Sequence, residues 1–403
     1  MAILKVLWLL VHAVLALPVV MVTLQIFVAR RTPILSTPDT ATDAHPKHAT
    51  RASVAVLVPA HNERAGIAAT LQSIKPQMRE GDRLIVVADN CSDDTAAIAR
   101  SFGAEVLERV HLTQRGKGYA LDHGVAHLKA TTPPGMVLMC DADCHLAAGS
   151  LDRLVNTCMQ TNQPVQALDL MKARPGAGMQ QRFAEFAWRV KNQVRPSGGA
   201  RLGVPCALMG TGMIFPWSVI ATAPLASGHL AEDVQLGVNL ALAGHFTRFE
   251  PRALVTSEFP QSTAGAQVQR SRWEHGALDN LVAFVPKLLV AGLVQRRMRL
   301  IGIAFDLMVP PLALLLMLMG VLLIVNGIVA WTTGWWTPAI VSLAILMLFA
   351  SGVVVAWVRF GQGTVTAGEL LAAPWYAVRK IPLYVAFLVK RQTQWVRAKR
   401  DDE

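Results

Sequence analysis

The chain has little charge and few cysteines, and both shortages limit what it can be. Of its 403 residues, only 16% are Asp, Glu, Lys or Arg, whereas 53% are hydrophobic. A soluble domain carries about 25% charged residues, so part of this chain is expected to lie in lipid. The five cysteines are odd in number and form no CxxC pair, which favours reduced, structural thiols over a disulfide framework. They are Cys91, Cys140, Cys144, Cys158 and Cys206.

The sequence also lacks a basic stripe interleaved with aromatic residues, although its formal net charge is +11. Much of the positive excess lies beside long apolar runs, where it would meet anionic lipid headgroups. Nucleic acid is therefore not an expected partner, whereas membrane lipids are.

Three long apolar runs predict transmembrane helices. The first, Val6 to Ala29, has no formal charge over about 24 residues, enough to cross a hydrocarbon core of about 30 Å. Pro311 to Trp331 and Pro338 to Val358 are about as long, and the Trp-rich joint between them suits a membrane interface. A cleaved signal peptide is the alternative for the first run, but its apolar core exceeds the usual length of about 7 to 15 residues.

Basic residues beside these runs set the expected orientation. By the positive-inside rule, the long middle segment and the C-terminus are expected to be cytoplasmic, in a multi-pass protein of the cell (inner) membrane. Two amphipathic segments, 281–298 and 367–392, are expected to lie in the interface. A short fourth span is the alternative for the second segment, opposed by a cost of about 2.5 to 3.5 kcal/mol for each charged residue near its centre. The basic residues are Arg30, Arg31, Arg296, Arg297, Arg299, Arg359, Arg379, Lys380, Lys390, Arg391, Arg397, Lys399 and Arg400.

Between the apolar ends, short apolar runs alternate with helical patterns, which predicts an α/β fold with a mostly parallel sheet covered on both faces. Ligands of such sheets bind beyond the carboxyl ends of the strands. Strands are predicted at 53–58, 83–88, 105–108 and 136–140, and helices at 63–74, 94–102 and 118–128. The residues that fall at the strand ends are Pro59, His61, Asn62, Glu63, Asp89 and Asp141.

Asp141 and Asp143 directly follow the predicted strand 136–140. In an extended segment residues i and i+2 point the same way, so both carboxylates can meet one cation. A nucleotide-diphosphate donor requires a divalent cation with oxygen ligands, and Mg²⁺ and Mn²⁺ both suit such ligands. The sequence predicts a Mg²⁺ or Mn²⁺ site here. Zinc on Cys140 and Cys144 is the alternative, but no second cysteine cluster follows.

Two other acidic positions suit particular roles. Asp89 ends a predicted strand and is assigned to the nucleobase, while Asp93 or Asp94 is assigned to capping the next helix. Asp233, after Glu232 at a predicted helix start, is the candidate base for the acceptor hydroxyl. An ordinary acidic first turn is the alternative for Asp233, and the two roles are compatible.

Basic and aromatic residues complete the candidate site. Lys117, in a loop flanked by glycines, offers a cation for phosphates, although a plain loop lysine is an equal alternative. The segment from Gln269 to Trp273 combines the guanidinium of Arg272, suited to phosphate, with an indole on which a sugar ring can stack. An anchor at the membrane interface is the alternative for this segment.

Together these motifs resemble the membrane-bound branch of the family 2 inverting glycosyltransferases of GT-A fold, which includes cellulose, chitin and hyaluronan synthases and ceramide glucosyltransferase. The resemblance covers about 53 to 280 and implies a Rossmann-like mixed sheet and a UDP-sugar donor. It implies that Asp89 contacts uracil and Asp141 the ribose or phosphate. It further implies that Asp143 binds the metal and that Asp233 acts as base. Ala88-Asp89-Asn90 stands where Asp-Asp-Gly is commoner.

The resemblance also assigns the remaining motifs. Gln269, Arg272 and Trp273 match a QxxRW signature that closes over the donor diphosphate and lines the acceptor site. The segment Gly210-Thr211-Gly212 matches one near the acceptor, where Glu232 is also expected.

One carboxylate base without a second nucleophile implies a single in-line displacement with inversion of the sugar. Polymer-exporting synthases have about six or more spans according to the resemblance, whereas about three are predicted here. The expected reaction is therefore transfer of one hexose to a lipid-linked acceptor, in glycolipid or exopolysaccharide assembly. The alternatives are a processive polysaccharide synthase and, from another class, a non-catalytic scaffold of an export complex that binds a sugar nucleotide.

The expected domain organisation follows from these patterns. Residues 165 to 280, which include Gly198-Gly199, are expected to form the acceptor-binding part of one continuous catalytic domain. The expected parts are a transmembrane helix at 1–30, a linker at 31–52, the GT-A domain at 53–280, an interfacial helix at 281–300, two transmembrane helices at 301–360, and an interfacial helix with a basic cytoplasmic tail at 361–403.

Overall fold

The computed structural model describes residues 2–31, 51–228, 231–260 and 263–389. Residues 32–50 of the predicted linker and 390–403 of the predicted tail lie outside them. The chain divides into two compact units. We call the first, which comprises the described residues of 51–174 and 205–269, the sheet unit, and the second, which comprises the described residues of 2–31, 175–204 and 270–389, the helical unit.

The sheet unit is built on one mixed, eight-stranded sheet in the order β3-β2-β1-β4-β7-β6-β8-β5. β1, β2, β3 and β4 run parallel, and β7 is antiparallel to both β4 and β6. The predicted α/β fold with a mixed sheet is confirmed. The strands are β1 Val54–Ala60, β2 Arg83–Asp89, β3 Glu105–Arg109, β4 Met136–Met139, β5 His145–Leu146, β6 Val165–Lys172, β7 Met213–Pro216 and β8 Arg248–Glu258.

Helices cover both faces of this sheet, which explains why its central strands are apolar throughout. Alternate residues of β1 enter opposite cores: Val56 and Val58 pack on one face, and Ala55 and Leu57 on the other. Burying one such aliphatic side chain contributes about 1.5–3 kcal/mol. The first core includes α2 Ile67–Ile74, α3 Thr95–Ser101 and α5 Ser150–Thr161; the second includes α4 Lys117–Ala130, α8 Trp217–Ile220 and α9 Glu232–Leu242.

The helix predicted from Glu63 begins later, at Ile67. Asn62 has a left-handed φ of 53°, so the chain turns sharply after β1 instead of entering a helix. The backbone N–H of Glu63 then donates to Thr95 Oγ1 at 2.7 Å. The delay therefore comes from a turn that ties the end of β1 to the start of α3.

The helical unit consists of long apolar helices and several short ones. The helices α1 (Ala2–Val28) and α13 (Thr337–Ala356) run parallel with their C-terminal ends side by side. His12 contacts Ser342 in their first halves, and Arg359, in the turn just after α13, donates to the carbonyl of Phe27 near the end of α1. Its elements are α1 Ala2–Val28, α6 Met179–Arg189, a π-helical turn Val190–Val194, α7 Arg195–Arg201, α10 Thr263–Val294 from Arg270 onward, α11 Met298–Leu307, α12 Leu312–Thr333, α13 Thr337–Ala356, a π-helical turn Trp357–Gly361, α14 Ala367–Leu371, α15 Ala373–Val378 and α16 Ile381–Val389.

Four helices in the described part of the chain are long and apolar enough to cross a membrane. Three correspond to the predicted spans: Trp8–Val28, Leu312–Thr333 and Thr337–Gly361. The fourth, Gln269–Val294, differs from the predicted organisation, which divided this segment at 280 into a domain end and a separate interfacial helix. The helix continues through this boundary and past Pro286, whose missing N–H removes one helical hydrogen bond without ending the helix, so α10 is one helix.

The N-terminal part of α10 lies near the C-terminal end of α13. The ring centroids of Trp273 and Trp188 are 4.6 Å apart. Arg189, next to Trp188, donates to the carbonyl of Phe360 at 2.9 Å. Phe360 lies in the π-helical turn that follows α13.

The C-terminal part of α10 lies near the corresponding end of α1. A Cβ on Gly292 would stand 2.6 Å from Ile301 in α11. One turn further along α11, Asp306 accepts a hydrogen bond of 2.7 Å from Gln25, near the end of α1. Both ends of the apolar run in α10 are thus close to the same end of the parallel pair α1 and α13.

Residues 175–204 differ from the expected organisation because they pack in the helical unit rather than in one continuous catalytic domain. The reason is visible at α7, where a Cβ on Gly198 would stand 1.9 Å from the carbonyl oxygen of Gln25. Small residues allow helix backbones to approach this closely. Arg195 reinforces the contact by donating to Gln25 Oε1 at 3.0 Å and to Asp306 Oδ1 at 2.9 Å.

The single interfacial helix predicted at 367–392 is divided into α14, α15 and α16 in the described part. Pro374 and Pro382 each stand at the second position of a new helix, where proline is favoured because its missing N–H has no helical partner. Lys380 pairs with Glu274 at 2.5 Å, and Tyr384 donates to the same carboxylate at 2.6 Å.

We predict that Gly198→Ala destabilises the protein while Gly199→Ala does not. A methyl group on Gly198 collides with the backbone of α1, whereas one on Gly199 meets its nearest described atom at 3.6 Å. Overpacking typically costs about 1–3 kcal/mol, and alanine in an unobstructed helix gains about 1 kcal/mol over glycine. The thermal midpoints of the purified full chain in detergent measure the difference, and equal midpoints would contradict the described α1–α7 contact.

Candidate active site

Asp141 follows β4 at the edge of the sheet where the parallel strands end. Its backbone N–H donates to Thr211 Oγ1 at 3.1 Å, which fixes the chain direction after the strand. Its carboxylate Oδ1 lies 2.5 Å from the ammonium nitrogen of Lys117. Lys117 is the first residue of α4 and also donates to the carbonyl of Gly210 at 2.8 Å. The sheet edge therefore brings together residues from three separate sequence motifs.

Asp233 reaches the same place from the first turn of α9. A Cβ on Gly210 would lie 3.4 Å from Lys117 Nζ and 3.5 Å from Asp233 Oδ2. Lys117, Glu232 and Asp233 also line one small cavity of about 10 Å³. The other oxygen of Asp233, Oδ1, accepts the N–H of Val234 at 2.8 Å. One oxygen is thus held by the helix start while the other lies toward Gly210.

Glycines make this convergence possible. Gly210 and Gly212 have φ values of 98° and 65°, which side-chain-bearing residues rarely adopt. A Cβ on Gly212 would also stand 2.7 Å from Val255. At the start of α4, a Cβ on Gly118 would lie 2.6 Å from the carbonyl oxygen of Ser227. The close approach at Gly212 keeps the 210–212 segment beside Asp141. The close approach at Gly118 keeps the chain before α9 packed against α4.

The charges at this site are unbalanced toward the negative. Burial lowers the pKa of Lys117, but Asp141, Glu232 and Asp233 together raise it above its ordinary value. Burial raises the pKa of Asp141, and Asp143 and Asp233 raise it further against the opposing effect of Lys117. The pKa of Glu232 is raised to about 7, because burial and the nearby Asp233 raise it more than Lys117 lowers it. The carboxylates therefore repel one another, and the excess of negative charge at the site attracts a cation.

The residues present fit a hard divalent cation. Ligand atoms of Asp141, Asp143 and Cys144 lie within 4.8 Å of one another. Burial raises the pKa of the Cys144 thiol well above its ordinary value, so sulfur is protonated there and only the two carboxylates offer oxygens. Such oxygens suit Mg²⁺ or Mn²⁺ better than zinc. All five cysteines are free.

Asp89 ends β2, where it is buried against Arg109. Its Oδ1 lies 2.6 Å from Arg109 NH1 and accepts from Asn90 Nδ2 at 3.1 Å. Arg109 in turn lies 5.7 Å from the ring centroid of Tyr119. The sequence analysis missed Arg109, although it directly follows the neighbouring predicted strand 105–108 and is the register partner of Asp89. Contact of Asp89 with a nucleobase stays a prediction.

The segment from Pro59 to Glu63 joins the end of β1 to the loop after β2. His61 Nδ1 donates to the carbonyl of Asp89 at 2.7 Å, and Asn62 Oδ1 accepts the N–H of Ser92 at 2.7 Å. In the same loop Asp93 Oδ1 accepts the N–H of Thr95, the first residue of α3, at 3.0 Å. The N-cap position itself is Asp94, whose side chain makes no capping hydrogen bond. The described contacts of His61 and Asn62 position the loop, and their contact with a donor stays a prediction.

Gln269, Arg272 and Trp273 lie on the early turns of α10. Gln269 and Arg272, three residues apart, share one face of the helix. Gln269 belongs to the sheet unit, and Arg272 and Trp273 belong to the helical unit. The indole of Trp273 is tilted by 45° against Trp188, a partner that the sequence did not indicate.

We predict that Glu232→Gln flattens the pH dependence of stability. Because the folded-state pKa is about 7 and the ordinary value is 4.5, the folded chain binds more protons between these values. Its free energy of unfolding therefore falls as pH rises through this window, by about 1 to 3 kcal/mol for this group. The variant lacks this loss, so its thermal midpoint should exceed that of the wild type at pH 7.5 by more than at pH 5.

Glu80→Gln, at an exposed glutamate, is the matched control and should follow the wild-type pH curve. Parallel curves for Glu232→Gln and the wild type would show that Glu232 is not held neutral by its surroundings.

Two of the solved structures that match this chain contain Mn²⁺ together with a nucleotide or nucleotide sugar. A mannosyltransferase from Pyrobaculum calidifontis in complex with GDP-Man and Mn²⁺ matches with a TM-score of 0.49 at 17% identity, over 85% of this chain and 99% of that chain. Glucosyl-3-phosphoglycerate synthase from Mycobacterium tuberculosis, in complex with Mn²⁺, UDP and phosphoglyceric acid, matches with a TM-score of 0.38 at 21% identity, over 61% of this chain and 84% of that chain.

Curated sequences similar to this chain are also glycosyltransferases. An uncharacterized glycosyltransferase of Mycobacterium bovis is 29% identical over 201 residues, which cover 46% of this chain and 85% of that protein. A probable glycosyltransferase of Bacillus subtilis is 26% identical over 250 residues, 55% of this chain and 54% of that protein. The 4,4′-diaponeurosporenoate glycosyltransferase of Staphylococcus aureus is 38% identical over 78 residues, 19% of this chain and 20% of that protein.

A family model matches the sheet region of the chain. The family described as glycosyltransferase like family 2 matches residues 51–276, which is more than half of the chain. This range contains β1 to β8 and every candidate site residue described above. The chain belongs to this family of glycosyltransferases.

Proposed function

We propose that the protein transfers one hexose, with inversion, from a UDP-sugar to a lipid-linked acceptor at the cytoplasmic face of the cell (inner) membrane, in glycolipid or exopolysaccharide assembly. The observation that carries the proposal is the convergence of Lys117, Asp141 and Asp233 around Gly210. A cation, a metal-binding carboxylate and a free carboxylate oxygen in one place are what sugar transfer from a nucleotide diphosphate requires.

The donor is expected to bind at the edge of the sheet formed by the ends of β1, β2 and β4. Asp141 and Asp143 would hold Mg²⁺ or Mn²⁺, which when bound supplies positive charge to the departing diphosphate. Lys117 adds a fixed ammonium beside it, and Asp89, held by Arg109, is proposed to contact the base. Ligands of parallel sheets bind beyond this edge, which supports the assignment.

Asp233 is proposed to take the proton from the acceptor hydroxyl. The helix start holds Oδ1 through Val234, which leaves Oδ2 on the side of Gly210 for the acceptor. Because this proposal uses one base and no protein nucleophile, the acceptor oxygen bonds to the anomeric carbon as its proton passes to Asp233 and UDP leaves in the same step, so the anomeric configuration inverts. Glu232, protonated below a pKa of about 7, is proposed to bind the acceptor beside Asp233.

A lipid acceptor is supported by the exposed apolar residues of the helical unit. In α14 to α16, Leu371, Trp375 and Val385 are 84%, 58% and 51% exposed, beside the basic Arg379. Apolar and basic side chains together suit a helix lying in the membrane interface. Both ends of α10 lie near one end of α1 and α13, which favours a place for α10 along the interface as well.

Single addition is supported by the number of helices left to cross the membrane. With α10 along the interface, the described part of the chain offers α1, α12 and α13 as spans. Three helices pack against one another without enclosing a channel wide enough for a polysaccharide. The product is therefore proposed to stay attached to its lipid.

We predict that Asp233→Asn abolishes transfer but keeps metal-dependent UDP binding. Loss of a general base lowers the rate by about 10² to 10⁴-fold, whereas the groups proposed to hold the diphosphate are untouched. Asp143→Asn is the paired variant and should lose both transfer and metal-dependent binding. Turnover of UDP-sugar and calorimetric UDP binding with and without Mn²⁺ separate the two, and full turnover in Asp233→Asn would remove Asp233 from its role.

The acceptor and stereochemistry are tested by offering the detergent-purified protein a panel of UDP-sugars with and without membrane lipid extract. We expect one lipid product that carries a single additional hexose, detected by mass spectrometry. Its anomeric proton should show the β configuration when the donor is α-linked. A long polymer would identify a processive synthase instead, and an α-linked product would contradict inversion.

A further inference from the structure

A cavity in the helical unit lies apart from the candidate active site. It has a volume of about 790 Å³ and is formed by the C-terminal ends of α1 and α7 and by the turn after α13. Four arginines line it: Arg30, Arg31, Arg201 and Arg359. No acidic side chain lines the cavity within the described residues. The cavity therefore concentrates positive charge from three helices.

Two of these arginines are held in place. Arg359 donates to the carbonyl of Phe27, near the C-terminal end of α1, at 2.9 Å and to that of Ala29, just beyond the helix, at 3.4 Å. The guanidinium of Arg31 lies 5.9 Å from the ring centroid of Phe360. These contacts position two cations at the cavity without neutralising their charge.

The other two are available to a ligand. Arg30 and Arg201 are exposed, and neither side chain has an ion pair or hydrogen bond within the described part of the chain. A guanidinium presents donors in a fork that matches the oxygens of a phosphate. An anion with several oxygens could therefore contact Arg30 and Arg201 together and relieve the repulsion among the four cations.

The place of the cavity indicates that this anion is attached to a lipid. The candidate spans Trp8–Val28 and Thr337–Gly361 both end at its wall. Apolar side chains also reach the surface there, with Phe27 and Val358 exposed by 43% and 47%. If the spans cross the bilayer, the arginines lie at headgroup level and the apolar residues at the level of the first acyl carbons. A soluble phosphate would satisfy only the first group.

We propose that this cavity binds the phosphate headgroup of an anionic membrane phospholipid, with Arg30 and Arg201 contacting the phosphate and Arg31 and Arg359 completing the positive wall. The alternative is that the arginines only orient the chain in the membrane, through non-specific attraction to anionic lipids. The two readings differ in saturability and in dependence on particular residues. A built site binds a defined number of lipids through these arginines, whereas diffuse attraction depends on total charge.

The test uses the full chain with Arg30→Gln and Arg201→Gln combined. The matched control combines Arg296→Gln and Arg297→Gln, which removes the same charge from exposed arginines beyond α10, outside the cavity. Native mass spectrometry and thermal shift in detergent measure the binding of phosphatidylglycerol, with phosphatidylcholine as the neutral comparison. We expect wild type and control to retain one phosphatidylglycerol, and the Arg30 and Arg201 variant to bind it about 25-fold more weakly, at about fivefold per arginine.

Three outcomes would overturn the proposal. Equal weakening in the two double variants would indicate diffuse attraction. Equal retention of phosphatidylcholine and phosphatidylglycerol by the wild type would indicate that headgroup charge is not recognised. Inorganic phosphate that saturates the same arginines, with no further effect of the lipid, would indicate a site for a soluble anion.

Discussion

The ammonium group of Lys117 is the interaction around which the candidate active site is organised. It lies 2.5 Å from Asp141, donates to the carbonyl of Gly210, and shares a small cavity with Glu232 and Asp233. One positive charge cannot balance this many carboxylates, so burial raises the pKa of Asp141 and of Glu232, and repulsion by Asp233 raises both pKa values further. The remaining negative charge suits a divalent cation, and we propose that such a cation binds here together with the donor diphosphate.

Close backbone approach is the condition for that arrangement. Lys117 can reach Gly210 only because Gly118 lets α4 pack against the chain at Ser227 and because the glycines at 210 and 212 adopt left-handed turns. The helical unit uses the same device where Gly198 meets the backbone of Gln25. In both units a glycine allows two backbone segments to approach closely, and charged side chains then make contacts across that approach.

The sequence was sufficient to predict the parallel strands β1 to β4, and that Asp141 follows β4, because both depend on local patterns; it did not predict β5 to β8. Apolar runs buried on two faces appear directly as strands, and polar residues at their ends fall at one edge of a parallel sheet. Arg109 could not be assigned to Asp89 in this way, because their pairing depends on the register between β2 and β3. The contact of Trp273 with Trp188 likewise depends on tertiary packing that no periodicity reveals.

Domain boundaries were harder to predict for the same reason. Residues 175–204 carry the glycines and prolines of a loop-rich catalytic segment, yet their contacts with α1 place them in the helical unit. Helix α10 continues past residue 280 without a break. The predicted boundary there was based only on a change in composition, which does not end a helix.

The most direct test of the central claim is a structure of the purified protein with UDP and Mn²⁺, determined by cryo-electron microscopy. We expect the metal on Asp143, the diphosphate between the metal and Lys117, and the free oxygen of Asp233 facing the space that the donor sugar would occupy. Density for UDP and Mn²⁺ at a place that contacts neither Asp143 nor Lys117 would contradict the account.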